Sequence, residues 1–104
     1  MIPINKVKDI IIKHNDLEKE LASGSIDSKL FAKKSKEYSN LGHIVEIAKE
    51  YVNFDSEKID LENILKDKKN DNEIIEMAQK DLSELKNKKK LFEYKLTIFL
   101  LPKD

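Results

Sequence analysis

Residues 28–68, SKLFAKKSKEYSNLGHIVEIAKEYVNFDSEKIDLENILKDK, decide the fold. Within them Tyr38, Leu41, Ile44, Ala48, Tyr51, Phe54, Lys58, Leu61 and Leu65 recur every three or four residues, which places them on one face of a helix. No proline interrupts the series, so the spacing predicts one helix over about 28–68. At 1.5 Å per residue such a helix is roughly 60 Å long. Gly42 and the Asn53-Phe54-Asp55-Ser56 segment have poor helix propensity and are the two places where a bend or short interruption would fall.

The flanking segments read the same way. Upstream, Val7, Ile10, His14, Leu17 and Leu21 share a face of a helix over about 3–22, with Pro3 suited to the first turn. Ser23-Gly24-Ser25 closes it, because Gly24 can take the left-handed conformation that ends helices, and Asp27 or Ser28 can cap the next. Downstream, Lys68-Lys69-Asn70-Asp71-Asn72 forms a turn in which Asn70 or Asp71 accepts from exposed amides. Glu73 and Glu76 complement the positive end of the third helix, about 71–100. Its seam is Ile75, Ala78, Leu82, Leu85, Lys89, Phe92, Leu96 and Phe99, heptad-like with one polar interruption at Lys89.

Short turns make neighbouring helices antiparallel. The expected architecture is all-α, an elongated antiparallel three-helix bundle with coiled-coil-like packing. The second helix outreaches the first, so part of it pairs with the third alone as a two-helix arm. The helical pattern stops at Leu100-Leu101-Pro102-Lys103-Asp104, where proline forces an exit from the helix. Large apolar residues there suggest a domain boundary: a helical domain over 1–101, and 102–104 as the start of a linker to further domains.

Composition supports helices and limits function. Charged residues make up 38% of the 104, against two glycines and two prolines, too few turn formers for a sheet or barrel. Lys+Arg and Asp+Glu are 20 each, so the global attraction that drives non-specific nucleic-acid binding is absent and any such contact must be local. There is no cysteine, hence no disulfide framework and no thiolate metal site. Apolar runs such as Ile10-Ile11-Ile12 and Ile98-Phe99-Leu100-Leu101 fall far short of the roughly 20 residues that cross a bilayer.

Chemistry-bearing residues are sparse. His14 and His43, the two histidines, lie on different predicted helices, and His14 on an apolar face reads as a packing residue. Glu46 with Glu50, and Glu57 with Asp60, read as solvated faces. Gly24 and Gly42 are too far apart to cradle a phosphate. Tyr38, Tyr51, Tyr94, Phe31, Phe54, Phe92 and Phe99 fall mostly at core spacing, which favours packing over base stacking. No cofactor, metal or small-molecule ligand is expected. Two lysine clusters can contact phosphates locally: Lys33, Lys34 and Lys36, and Lys86, Lys88, Lys89 and Lys90. Neighbouring acids such as Glu37, Asp81, Glu84 and Glu93 make a soluble helix surface the simpler reading of both.

Three segments carry a resemblance. Lys33-Lys34-Ser35-Lys36-Glu37-Tyr38-Ser39-Asn40-Leu41, continuing through Ile44-Val45-Glu46, is similar to a K-L-S-K-E-Y-A-E-L…I-V-E stretch of the bacterial release factor 1 family. Asp71-Asn72-Glu73-Ile74-Ile75-Glu76-Met77-Ala78 resembles that family's D-P-E-L-x-E-M-A, and Leu100-Leu101-Pro102-Lys103-Asp104 its L-L-P-K-D. Asn72 stands where the family often has proline. The resemblance, which spans nearly the whole chain, implies the N-terminal helical domain of a cytoplasmic factor that directs translation termination at UAA and UAG codons by triggering peptidyl-tRNA hydrolysis on the ribosome.

The family's Gly-Gly-Gln and Pro-x-Thr motifs have no counterpart here, because the chain has no Gly-Gly pair and neither Pro3 nor Pro102 opens a Pro-x-Thr. No catalytic residue is therefore expected, and the segment is not expected to be an enzyme. By the resemblance it is an arm that reaches the large-subunit factor-binding region and stalk base, with Lys33, Lys34 and Lys36 as candidate ribosome contacts. Codon and peptidyl-tRNA would be met through domains outside this sequence. The competing expectation is a free-standing coiled-coil adaptor that recruits a partner helix.

Overall fold

Residues 2–102 are described by the structure, a computed structural model. They form four helices: α1 Ile4–Ser23, α2 Ser28–Gly42, α3 Val45–Lys66 and α4 Asn72–Leu100. No strand occurs among the described residues. The all-α expectation holds, but the three-helix bundle over 3–22, 28–68 and 71–100 does not: the predicted second helix is two helices.

The break falls at His43 and Ile44, immediately after Gly42. Ile44 N–H donates to the Leu41 carbonyl at 3.0 Å, a tightened turn, and Ile44 itself has φ −120° and ψ −15°, outside the helical pair. Helix resumes when Ala48 N–H donates to the Ile44 carbonyl at 2.9 Å. Leu41, Ile44, Val45 and Ala48 are all buried, so the bend is held by what it packs. The other weak segment does not break. Phe54 is buried while Asn53, Asp55 and Ser56 face solvent, and the gain from burying the ring outweighs their poor propensity.

The remaining boundaries follow from identifiable groups. Gly24 closes α1 at φ 71°, ψ 7°. Asp27 accepts from Lys29 N–H at 3.4 Å to open α2, and Asp71 Oδ1 accepts from Ile74 N–H at 3.0 Å to open α4. Of the two residues expected as this cap, Asp71 takes the role and Asn70 has another task. Its Nδ2 donates to the Ile64 carbonyl at 3.0 Å, satisfying the C-terminal end of α3. At the far end, Leu101 is extended at φ −64°, ψ 141°, as the residue before a proline should be. Lys103 and Asp104, part of the expected linker, lie outside the described residues.

The helix α1 lies against both α2 and α3, and α3 packs most extensively against α4. Their apolar faces meet in one core of Ile2, Val7, Ile10, Leu17, Leu41, Ile44, Ala48, Tyr51, Phe54 and Leu96. The Phe54 and Phe92 rings meet at 5.5 Å between centroids with planes tilted by 40°, linking α3 to α4 inside it. Beyond Phe54 and before Leu85 there is no third layer. Ala78 is the one buried residue on that stretch, where Leu61, Leu65, Ile75 and Leu82 are half-buried. This is the expected two-helix arm, and it gives the molecule extents of 61 × 31 × 19 Å. The radius of gyration is 18.6 Å, against about 13 Å for a compact domain of similar length.

The two glycines should respond oppositely to alanine. An added Cβ at either meets nothing within 4 Å, but only Gly24 has positive φ. Gly42→Ala is expected to raise stability by ~0.4–1 kcal/mol, because it restricts the unfolded chain at no native cost. Gly24→Ala is expected to lower it by ~1–2 kcal/mol. Urea unfolding monitored by circular dichroism measures both; stabilisation by Gly24→Ala would contradict the assignment of its left-handed cap.

Candidate functional site

The cluster Lys33, Lys34 and Lys36 sits on α2, whose orientation is fixed by α1. The His14 and Tyr38 rings stack at 4.6 Å with planes 20° apart, so His14 is the packing residue its position suggested. Lys13 pairs with Glu37, and Lys34 with Glu20. With α2 clamped in this way, Lys34 faces α1 and is half-buried, while Lys33 and Lys36 are exposed. The cluster is thus divided between two faces.

Lys29 joins Lys33 and Lys36 on the outward one. Positions 29, 33 and 36 have the i, i+4, i+7 spacing of a single helical face. None of the three takes part in a salt bridge among the described residues. Lys29 is not a sequence neighbour of the cluster, and the four-residue distance to Lys33, about one helical turn, is the signal that joins it to this face.

The second cluster differs. Lys88 lies 2.9 Å from Glu50 and its ammonium is 5.4 Å from the Phe92 ring centroid, whereas Lys89 reaches Asp55 at 3.4 Å. These lysines bridge α4 to α3. Lys86 and Lys90 remain exposed. Lys29, Lys33 and Lys36 thus share one exposed face with no salt-bridge partner among the described residues, whereas two of the four lysines of the second cluster are paired to α3.

Among the described residues one ionisable side chain, Tyr51, is buried. The Tyr51 hydroxyl donates to Glu93 Oε1 at 2.8 Å. Burial, then the hydrogen bond to Glu93, then the negative charges of Glu93 and Asp55 push Tyr51 up to about 12. A raised phenol with no nucleophile beside it is a structural tie between α3 and α4. His43 is exposed at the α2–α3 bend. Among the described residues no group of three or more His, Cys, Asp or Glu side chains could hold a metal ion. No described helix is long and apolar enough to cross a membrane. A groove of about 430 Å³ lies between α3 and α4 on the arm, lined by Glu57, Asp60, Leu61, Asp81, Glu84, Leu85 and Lys88.

The chain belongs to the PCRF domain family, whose pattern it matches over residues 10–104. It is 52% identical over 104 residues to the peptide chain release factor 1 of Pelagibacter ubique, covering 100% of this chain and 29% of that protein. The factor of the same name from Malacoplasma penetrans is 41% identical over 92 residues, 88% of this chain and 25% of that protein. That of Wolbachia pipientis subsp. Culex pipiens is 39% identical over 105 residues, 96% and 28% respectively. The chain therefore spans less than a third of the length of these relatives. No solved structure matches it significantly.

The Tyr51 tie has a pH signature. Its folded pKa lies above the unfolded value of 10.0, so the unfolded chain ionises first and the contribution to stability is complete below about pH 10. It is lost as pH rises from about 10 to about 12. Urea unfolding across that window should show stability falling in the native chain and falling less steeply in Tyr51→Phe. Identical slopes would remove Tyr51 as the cause.

Proposed function

We propose that this chain is the N-terminal helical domain, residues 1–101, of a cytoplasmic class I release factor of the factor 1 type, with 102–104 opening the linker to further domains. In this reading the complete factor directs termination at UAA and UAG codons and promotes hydrolysis of peptidyl-tRNA. Residues 1–101 hold the factor on the ribosome, at the large-subunit factor-binding region and stalk base. The observation that carries the reading is the 52% identity to a release factor 1 across the full 104 residues. The lack of Gly-Gly-Gln and Pro-x-Thr in the sequence fits a division of labour in which chemistry and decoding belong to other domains.

The docking stripe is Lys33 and Lys36, extended by Lys29. Lys34 supports it by pairing with Glu20 of α1, beside the His14–Tyr38 stack that orients α2. Lysines on one helical face neutralise successive phosphates, an interaction that weakens with salt.

Ribosome affinity of the complete factor tests this. Reversal at Lys29, Lys33 and Lys36 to Glu is expected to weaken binding by about tenfold, or ~1.4 kcal/mol. Reversal at Lys86, Lys88 and Lys90 should change it by much less. Equal effects, or none, would reject the assignment. The chain alone should release no peptide from programmed ribosomes, and release above background would overturn the division of labour.

A further inference from the structure

The zero net charge of this chain conceals a second, oppositely charged face. Glu57 and Asp60 on α3 and Asp81 and Glu84 on α4 surround the groove whose apolar walls are Leu61 and Leu85. None of the four carboxylates is in a salt bridge among the described residues. Lys88, the one cation of the lining, is engaged by Glu50 at 2.9 Å. The groove lies on the part of the hairpin that no third helix covers. Toward the tip its apolar strip continues: Ile74, Met77, Asp81 and Glu84 follow the three-four spacing of one α4 face, and Ile74 and Met77 are 43% and 64% exposed.

An open groove of this kind does not enclose a small molecule, and four carboxylates repel nucleic-acid phosphates. What they complement is a cationic protein segment. Lysine or arginine stems lie along apolar walls while their charged ends reach the acidic rim. An amphipathic helix adds leucine-sized anchors at one-turn spacing, which match the strip from Leu61 and Leu85 to Met77.

We infer that this face of the arm binds a lysine- or arginine-rich amphipathic helix of a partner protein. The inference rests on reading the chain as a docking arm and gives that arm a second, protein-directed contact. The basic α2 stripe meets phosphates, and the acidic groove meets a basic protein. Two faces of opposite sign fix orientation on a partner surface better than one.

The test is a titration of the isotopically labelled chain with a synthetic amphipathic helix of leucine and lysine, followed by nuclear magnetic resonance. Shifts are expected along 57–61 and 74–85. Paired Glu57→Lys and Glu84→Lys should weaken binding about tenfold, while the same reversals at exposed Asp16 and Glu18 on α1 should change it less than about twofold. Met77→Ser, exposed enough to leave folding intact, should weaken it severalfold.

Shifts elsewhere, equal losses from both pairs of reversals, or groove shifts produced equally by a single-stranded RNA would overturn the inference. So would a dimer in sedimentation equilibrium that the groove reversals dissolve, since the occupant would then be a second copy. Failure of the peptide to bind leaves docking through α2 standing. Ribosome binding indifferent to the α2 reversals removes the docking reading and leaves the groove's chemistry standing.

Discussion

Leu96 of α4 is fully buried in the core shared by α1 and α3, and the shape of the molecule depends on that burial. A Leu placed this deep contributes on the order of 2–5 kcal/mol against truncation, a large part of what a domain of this size has in total. Around it Val7 and Ala48 are equally inaccessible, so three helices are pinned at one end. Everything beyond Phe54 and Leu85 projects from that anchor. The helix α4 has 29 residues and α1 only 20, and the excess length has no third helix to lie on. An arm is therefore the geometric result of unequal helix lengths on a common core.

Charge is divided in step with this architecture. Between neighbouring helices, ion pairs tie one to the next: Lys13 with Glu37, Lys34 with Glu20, Lys88 with Glu50 and Lys89 with Asp55. Each is exposed enough to be worth little individually. Their effect is to consume charges at the seams. Among the charges outside these pairs, Lys29, Lys33 and Lys36 line the outside of α2, and Glu57, Asp60, Asp81 and Glu84 line the groove of the arm. Equal totals of 20 and 20 thus say nothing about the local field that a partner would meet.

Most helical faces were legible in the sequence because burial repeats every three or four residues. Val7, Ile10 and Leu17 on α1, and Ala78 and Leu96 on α4, are buried as their spacing predicts. The place of the break at His43–Ile44 was legible as one of two weak points, but not that the helix divides there, since Leu41, Ile44, Val45 and Ala48 keep helical phase across it. Only a glycine marked the place. The candidate site was legible in part. Lys33 and Lys36 are exposed as expected, but the inward turn of Lys34 depends on Glu20, 14 residues away on another helix. The groove was hidden for the same reason. Glu57 and Asp60 read as a solvated pair until α4 brings Asp81 and Glu84 opposite them, and that register is set by the Asn70–Asp71 turn.

The same turn explains why the arm can be both long and ordered. A two-helix hairpin with Ala78 as its buried residue gains little from burial, so its ends must be satisfied locally. Asn70 closes α3 through the Ile64 carbonyl and Asp71 opens α4 through the Ile74 amide, so adjacent residues cap two helices. A cap contributes about 1 kcal/mol, comparable with what one half-buried leucine supplies here. The apolar residues of the arm are consequently not all needed inside it. Ile74 and Met77 can remain on the surface, and a segment stabilised by its turn is free to offer its side chains to a partner.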